Sequence, residues 1–413
     1  MIKQPAIQVN SEIGTLREVL LHRPGAEIEN ITPDTMERLL FDDIPFLKNA
    51  QAEHDAFADL LRERGAEVVY IEQLLAECLQ SADTRIAFIK RYLEEHHYTT
   101  GTVAQEMQKY LQTLSVKNLV QTIYAGIRRD ALDLKHTSLD EVAGTAAEDP
   151  FLMDPLPNAY FTRDPQASIG NGMTINHMTY AARQPESLIT EFVMAHHPRF
   201  SQRVPIWLDR NQDNRIEGGD ELVLNEHTLA IGISQRTSSK AVQTLAEHLF
   251  ASPDSQIDTI MAVEIPHNHA MMHLDTVFTM VNTDQFTVFP GIMDDAGKMN
   301  INLLRANNQG EVVLEHRDNL KRTLLEVLNL DDLDLIETGN GDPINAAREQ
   351  WNDGSNNLAI APGEVVTYDR NYISIQLMRE HGITVHEIKS SELSRGRGGA
   401  RCMSQPLWRD ELN

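Results

Sequence analysis

Four short motifs combine acidic, imidazole and thiol side chains with glycine. They are Phe161-Thr162-Arg163-Asp164, Glu217-Gly218-Gly219-Asp220, His273-Leu274-Asp275 and Gly398-Gly399-Ala400-Arg401-Cys402. Asp164, Glu217 and His273 follow one another at intervals of 53 and 56 residues. Side chains with such regular spacing can meet at one place if the chain repeats a structural unit with the same period.

Together these motifs supply the groups that attack on a guanidinium carbon would need. A guanidinium is planar, permanently charged and rich in N–H donors, so Asp164 and Asp275 could hold it by paired hydrogen bonds. Its carbon is a weak electrophile, and a thiolate of Cys402 is the strongest candidate nucleophile. His273 could protonate the departing ammonia and then activate water, while Glu217 orients the imidazole.

A repeated order of strand, turn, strand, helix and strand surrounds the motifs. It begins at Ala167, Glu221, Thr276 and Asn357, and Leu16–Ile71 gives a looser version. A longer excursion precedes the helix that we expect at Leu320–Leu328. About five units of roughly 50 to 60 residues favour a closed, radially repeated α/β architecture, in which equivalent loops surround one central pocket. A doubly wound α/β sheet is the alternative.

One segment departs from this repeat. Residues 73–148 are polar, and Ile89, Tyr92 and Leu93 have the spacing of amphipathic helices. Cys78 lies in this segment, and we expect it to be a buried, inert thiol. The predicted parts of the chain are a first unit in residues 1–72, an inserted helical subdomain in residues 73–148, and the remaining units, which carry the active site, in residues 149–413.

Composition narrows the class of protein and of partner. The 413 residues are 41% hydrophobic and 23% charged, as expected for a globular protein with a sizeable core. A formal charge of −25 disfavours nucleic acid and anionic membranes as partners. With two cysteines, no signal-like start and no apolar run of roughly 18 residues, the sequence predicts a cytoplasmic protein.

In their longer context, the motifs resemble those of the arginine deiminases, which are guanidino-group-modifying enzymes. The stretches that carry the resemblance are Phe161–Pro165, Glu217–Glu221, His273–Thr279 and Ser394–Leu407, and the likeness spans essentially the whole chain. It implies a five-bladed pseudo-symmetric α/β propeller of ββαβ units with an inserted helical subdomain. It also implies hydrolysis of free L-arginine to L-citrulline and ammonia, without a cofactor, by a homo-oligomer (a dimer or a tetramer).

The resemblance gives the individual residues their roles. Cys402 would be the nucleophile that forms a covalent thiouronium, His273 and Glu217 would handle protons, and Asp164 and Asp275 would bind the guanidinium. Arg183 and Arg236 would bind the substrate carboxylate, and Phe161 would pack on its aliphatic stem. Asn158 and Asp220 would be further substrate-binding residues, and Arg397 would be a mobile gate that closes over the substrate.

Two stretches imitate metal sites. His267, His269 and His273 lie close together, but no HExxH pattern or cysteine pair accompanies them. Residues 209–220 resemble a calcium loop, but Asn214 stands where such a loop needs glycine. We therefore expect no metal.

Three other functions stay open at this point. An amidinotransferase would keep the same reactive groups and replace water by an amine acceptor. An agmatine deiminase would have no use for Arg183 and Arg236, because agmatine lacks a carboxylate. A non-catalytic arginine-binding sensor could keep both arginines and the acidic residues, but it would not need Cys402.

Overall fold

A computed structural model describes residues 5–134, 149–293, 297–307 and 309–412. Its strands, in chain order, are β1 (Leu16–Leu21), β2 (Glu67–Tyr70), β3 (Ile127–Arg128), β4 (Phe151–Met153), β5 (Gln166–Ile169), β6 (Gly172–Ile175), β7 (Ile206–Leu208), β8 (Glu221–Val223), β9 (Thr228–Ile233), β10 (Thr259–Glu264), β11 (Phe278–Asn282), β12 (Gln285–Val288), β13 (Lys298–Ala306), β14 (Val312–Asn319), β15 (Asp334–Glu337), β16 (Leu358–Ala361), β17 (Glu364–Tyr368), β18 (Thr384–Ile388) and β19 (Gln405–Arg409). The α-helices are α1 (Ala26–Glu29), α2 (Leu47–Glu63), α3 (Ile71–Cys78), α4 (Ala82–Glu95), α5 (Thr102–Thr113), α6 (Val116–Ala125), α7 (Gln184–His196), α8 (Ser239–Ala251), α9 (Leu320–Leu328), α10 (Pro343–Trp351) and α11 (Tyr372–Glu380).

Five sheets repeat one arrangement, in which an antiparallel strand pair is extended by a parallel third strand. Their strand orders are β19-β1-β2, β5-β6-β7, β8-β9-β10, β11-β12-β15 and β16-β17-β18. The parallel step needs a crossover, which α2, α7, α8, α9 and α11 provide in turn. The ββαβ pattern expected from the sequence is therefore present, and we call these sheets units one to five in that order.

The first unit is built from both ends of the chain. Its central strand β1 pairs antiparallel with β19 and parallel with β2. This pairing ties the segment that ends at Arg409 to the segment that begins at Leu16. The described strands thus lie in several small sheets, which differs from the single open sheet of a doubly wound fold.

Two additions depart from the simple repeat. The strands β13 and β14 form a hairpin that extends the sheet of unit three, because β13 pairs antiparallel with β10. This hairpin is the excursion expected before α9, and that helix has the predicted bounds. The segment after α6 was expected to be helical, but its short strand β3 pairs with β4. Gly126, with a φ of 80°, ends α6 and redirects the chain there.

The helices of the inserted segment share a hydrophobic core with unit two. Phe88 of α4 meets Phe192 of α7 edge to face, with ring centroids 4.9 Å apart, and Leu111, Ile123 and Leu188 belong to the same buried cluster. This shared core anchors the helices beside the strand–helix unit that carries Asp164. The proposed division of the chain into three domains stays a prediction. Among the described residues, no helix is long and apolar enough to cross a membrane.

A buried imidazole links the first unit to the inserted helices. His22 lies 2.9 Å from Glu72 and 3.1 Å from Glu27, and its ring stacks on Tyr124 with centroids 4.2 Å apart. Burial lowers the pKa of His22, but the two carboxylates outweigh burial and raise that pKa to about 10. The imidazole is therefore charged at neutral pH, and its single positive charge attracts both carboxylates.

We expect His22→Gln to lower the free energy of unfolding by about 3 kcal/mol, because it leaves two acids without their cation. A pKa raised in the folded state gives stability that is complete below about pH 6.5 and is lost as the pH rises toward about 10. Between pH 7 and 10, the stability of the variant, measured by thermal unfolding, should therefore decline much less than that of the native protein. His54→Gln is the matched control: His54 is equally buried, and its pKa is lowered to about 3. An unchanged pH slope in His22→Gln would contradict the assignment.

Candidate active site

The predicted chemical residues all stand in loops that lead into the first strand of a unit. Asp164 precedes β5, Glu217 precedes β8, His273 and Asp275 precede β11, and Cys402 precedes β19. Single turns of 3-10 helix at 218–220 and 274–276 hold the backbone directly after Glu217 and His273. The structure brings these side chains into one buried cluster, as the spacing of the motifs predicts.

His273 lies between two carboxylates. Its Nε2 is 2.8 Å from Oε2 of Glu217, and its Nδ1 is 3.7 Å from Oδ1 of Asp164. Burial lowers the pKa of His273, but Asp164, Glu217 and Asp220 outweigh burial and raise that pKa to about 9. The imidazole is thus a cation at neutral pH and can act as a general acid.

Cys402 is 3% exposed, and polar groups surround its sulfur. Its Sγ lies 3.6 Å from Oδ2 of Asp275 and 3.1 Å from Nδ2 of Asn356. Burial and the nearby carboxylates of Asp275, Asp164 and Asp353 raise the pKa of the thiol well above its usual range. The resting group is therefore a thiol, and a cation placed beside the acids would favour its ionisation.

Two acids of the cluster are bound to arginines of the chain itself. Nη1 of Arg183 donates to Oδ2 of Asp164 at 2.6 Å, and its other nitrogens bind Glu186. Nη1 of Arg236 donates to Oε2 of Glu217 at 3.1 Å. The two predicted carboxylate ligands therefore reach the reactive centre itself, where their guanidinium groups neutralise the acids.

Asp275 has a guanidinium partner of the same kind. Nη1 of Arg401 donates to its Oδ2 at 2.8 Å, and the remaining nitrogens of Arg401 bind both oxygens of Glu12. Burial raises the pKa of Glu12, but Arg401 and its neighbours outweigh burial and lower it to about 2. Arg401 thereby fixes the acid that touches the sulfur.

Arg397, the predicted gate, is held by few polar contacts. Its guanidinium carbon lies 3.5 Å from the ring centre of Trp351, and Nη1 is 3.7 Å from Asp42. Its Nε and Nη1 are buried without a hydrogen-bond partner, and its backbone has a φ of 61°. Arg397 thus combines a left-handed backbone, which is uncommon in a non-glycine residue, with buried donors that lack a partner.

Three further predicted residues line or support the cluster. Asn158 is buried and donates from Nδ2 to the carbonyl of Leu39 at 2.7 Å. Phe161 packs so closely on the glycine-rich loop that a Cβ at Gly398 would lie 2.4 Å from its ring. Asp220 accepts from Ser234 and from a backbone N–H, at 2.6 and 2.8 Å. Asp220 thus holds the backbone of Leu274, the residue that follows His273.

Comparison with known proteins identifies the family of this chain. The model of the arginine deiminase family matches residues 37–409. The arginine deiminase of Lactococcus lactis subsp. cremoris is 65% identical over 407 residues, which cover 98% of this chain and 99% of the relative. The chain belongs to the arginine deiminase family. The expectation of an enzyme of this family is therefore confirmed.

Two solved structures share the fold at low identity. The N-terminal domain of ArgZ, an arginine dihydrolase in cyanobacteria, has a TM-score of 0.54 at 12% identity, with 96% of this chain and 99% of that chain covered. AgrE, in a complex with ornithine and NAD+, has a TM-score of 0.55 at 13% identity and 96% coverage. This chain spans 40% of the length of AgrE. The expected α/β fold is thus confirmed.

The site also contains residues to which the sequence motifs assign no role. Asn356 contacts the sulfur, Arg401 binds Asp275, and Glu12 holds Arg401. Asn356 precedes β16, the first strand of unit five, so the repeat could have pointed to it. Glu12 could not have been found in this way, because it lies outside the repeated motifs and acts through a contact between the two ends of the chain.

Gly219→Ala should disturb the site without replacing a reactive side chain. A Cβ at Gly219 would lie 2.7 Å from Cγ and Nδ1 of His273 and 2.9 Å from Oδ1 of Asp164. Because the ring must shift, we expect about a 100-fold fall in kcat with a retained fold. Steady-state kinetics and circular dichroism check this, and a fully active variant would contradict the described position of the imidazole.

Proposed function

We propose that this enzyme hydrolyses free L-arginine to L-citrulline and ammonia through a covalent intermediate on Cys402. The observation that carries the proposal is the set of carboxylates around the thiol. Asp164, Glu217 and Asp275 each hold a guanidinium at 2.6 to 3.1 Å. A buried cluster whose acids already accept guanidinium groups beside a thiol and an imidazolium suits a substrate with that head group.

On arginine binding, the guanidinium of the substrate would replace that of Arg183 beside Asp164. The head group of the substrate takes its place between Asp164 and Asp275, and Arg183 and Arg236 turn toward the substrate α-carboxylate. Bidentate pairing favours both new contacts. Arg397 moves during entry, because the reactive residues are almost fully buried.

The first half-reaction uses the thiol and the imidazolium. The bound guanidinium cation offsets the repulsion from Asp275 and favours loss of the thiol proton of Cys402, which passes to solvent. The thiolate forms a bond from Sγ to the guanidinium carbon and gives a tetrahedral adduct. His273 donates its proton to one amino nitrogen, the C–N bond breaks, and ammonia leaves a thiouronium on Cys402.

The second half-reaction returns the enzyme to its starting state. Neutral His273, oriented by Glu217, takes a proton from water, and the oxygen adds to the thiouronium carbon. The tetrahedral adduct collapses, the C–S bond breaks and the electron pair returns to the sulfur of Cys402. The hydroxyl proton of the adduct passes to that sulfur and restores the thiol. The carbon keeps the oxygen, and the product is the ureido group of citrulline.

A metal is not needed for these steps. Ligand atoms of Asp164, Glu217 and His273 lie within 4.8 Å of one another, as in a metal site. The same acids bind Arg183 and Arg236 at 2.6 and 3.1 Å, so a divalent cation would lie against two guanidinium groups. Charge balance thus favours a metal-free site.

We also propose that the five units are arranged radially, as blades of a propeller. Two observations support this: the pairing of β19 with β1 joins the chain ends, and loops before the first strand of all five units supply the site. The cysteines Cys78 and Cys402 are free and buried, which fits a cytoplasmic location. A homo-oligomer, either a dimer or a tetramer, stays a prediction.

Cys402→Ser should abolish the formation of citrulline and ammonia from arginine, because a hydroxyl is a far weaker nucleophile than a thiolate. Product assays on the purified variant measure this. Cys78→Ser is the matched control and should remain active, because Cys78 lies in α3, outside the described cluster. Turnover by Cys402→Ser at the native rate would contradict the nucleophile assignment.

Arg183→Ala should lower kcat/KM more for arginine than for agmatine, because agmatine lacks the carboxylate. The variant leaves Asp164 and Glu186 without their guanidinium partner whichever substrate is used, so this change lowers kcat/KM for both substrates alike. The loss of the carboxylate contact adds about a tenfold to hundredfold fall in kcat/KM for arginine alone. Equal losses for the two substrates would remove Arg183 from carboxylate recognition.

A further inference from the structure

We propose that Asn356 is a catalytic residue that donates a hydrogen bond to the sulfur of Cys402 and stabilises its thiolate. This inference rests on the proposed role of Cys402 as the nucleophile. It assigns a function to unit five, whose loop before β16 supplies none of the residues expected from the motifs. Asn356 touches the reacting atom itself, at 3.1 Å.

The contacts of Asn356 fix the orientation of its amide. Its Oδ1 accepts the backbone N–H of Cys402 at 3.1 Å, so the opposite side of the amide must be the nitrogen. Nδ2 donates to the backbone carbonyl of Asp275 at 3.1 Å and lies 3.1 Å from Sγ. The amide thus uses both donors and its acceptor, and toward the sulfur it presents a donor.

Such a donor matters to the sulfur because the sulfur also lies beside the carboxylate of Asp275. As a thiol, Cys402 can donate to Asp275 at 3.6 Å. As a thiolate it can only accept, and the negative charge of Asp275 then repels it. A neutral N–H donor binds an ionised acceptor more strongly than a neutral one. Asn356 therefore favours the attacking thiolate, and the same thiolate when it leaves in the second half-reaction.

The glycine-rich loop is shaped to admit this contact. A Cβ at Gly399 would lie 2.8 Å from Cβ and Oδ1 of Asn356, so any larger residue there would push the amide away from the sulfur. The next residue, Asn357, is equally buried, but its Nδ2 donates to Thr287 at 3.0 Å. Of the two adjacent asparagines, Asn356 thus places its amide at the sulfur, and Asn357 stabilises the fold.

The test compares Asn356→Ala with Asn357→Ala in the full-length enzyme. Iodoacetamide labelling at pH 8, read on the peptide that contains Cys402 so that Cys78 is counted separately, measures the thiolate fraction. We expect Asn356→Ala to lower the labelling rate and kcat about tenfold to hundredfold, because it removes one hydrogen bond to a charged group. KM should change little. Asn357→Ala should lower the melting temperature and leave the labelling rate unchanged.

Asn356→Asp supplies a test that does not depend on shape. This variant keeps the acceptor for the N–H of Cys402 but turns a carboxylate oxygen toward the sulfur. We expect it to lose more activity at pH 8 than Asn356→Ala. A purely structural role predicts the reverse order, because the aspartate is nearly isosteric.

Equal labelling rates in Asn356→Ala and the native enzyme, or an active Asn356→Asp, would overturn the inference. The labelling result does not depend on whether Cys402 is the nucleophile. Failure of the proposed function would instead show as turnover by Cys402→Ser, so the two failures are distinguishable.

Discussion

Burial of several carboxylates in one place is the constraint on which this active site depends. An ionised acid removed from water is costly unless a cation and hydrogen bonds compensate it. Here a guanidinium lies against Asp164, another against Glu217 and a third against Asp275. The cations come from separate parts of the chain, so charge compensation at the centre requires the correct assembly of several units.

This compensation also determines the reactivity of the centre. With its acids balanced by arginines, the site holds a protonated thiol at Cys402 and an imidazolium at His273. The groups are in place, but the nucleophile is in its inactive form. In the proposed reaction, the substrate guanidinium takes over part of the charge compensation next to the sulfur, so the thiolate forms when a substrate is present to accept its attack.

Much of the fold and of the site could be predicted from the sequence because both follow the same repeat. Residues that recur before the first strand of each unit, such as Asp164 and Glu217, are brought together by the fold. The identity of the partner of each acid could not be predicted. Arg401 sits beside the nucleophile in sequence, but its contact with Glu12 depends on the pairing of the chain ends. The role of Asn356 does not show in the sequence, because an asparagine in a loop resembles an ordinary turn residue.

The covalent step is the central claim, and trapping the intermediate tests it most directly. The enzyme is mixed with arginine, quenched in acid during turnover and digested for mass spectrometry. The account predicts that the peptide containing Cys402 gains the mass of arginine less ammonia, and that the gain disappears when arginine is exhausted. If the enzyme turns over at full rate and this peptide stays unmodified while another residue carries the added mass, Cys402 is not the nucleophile.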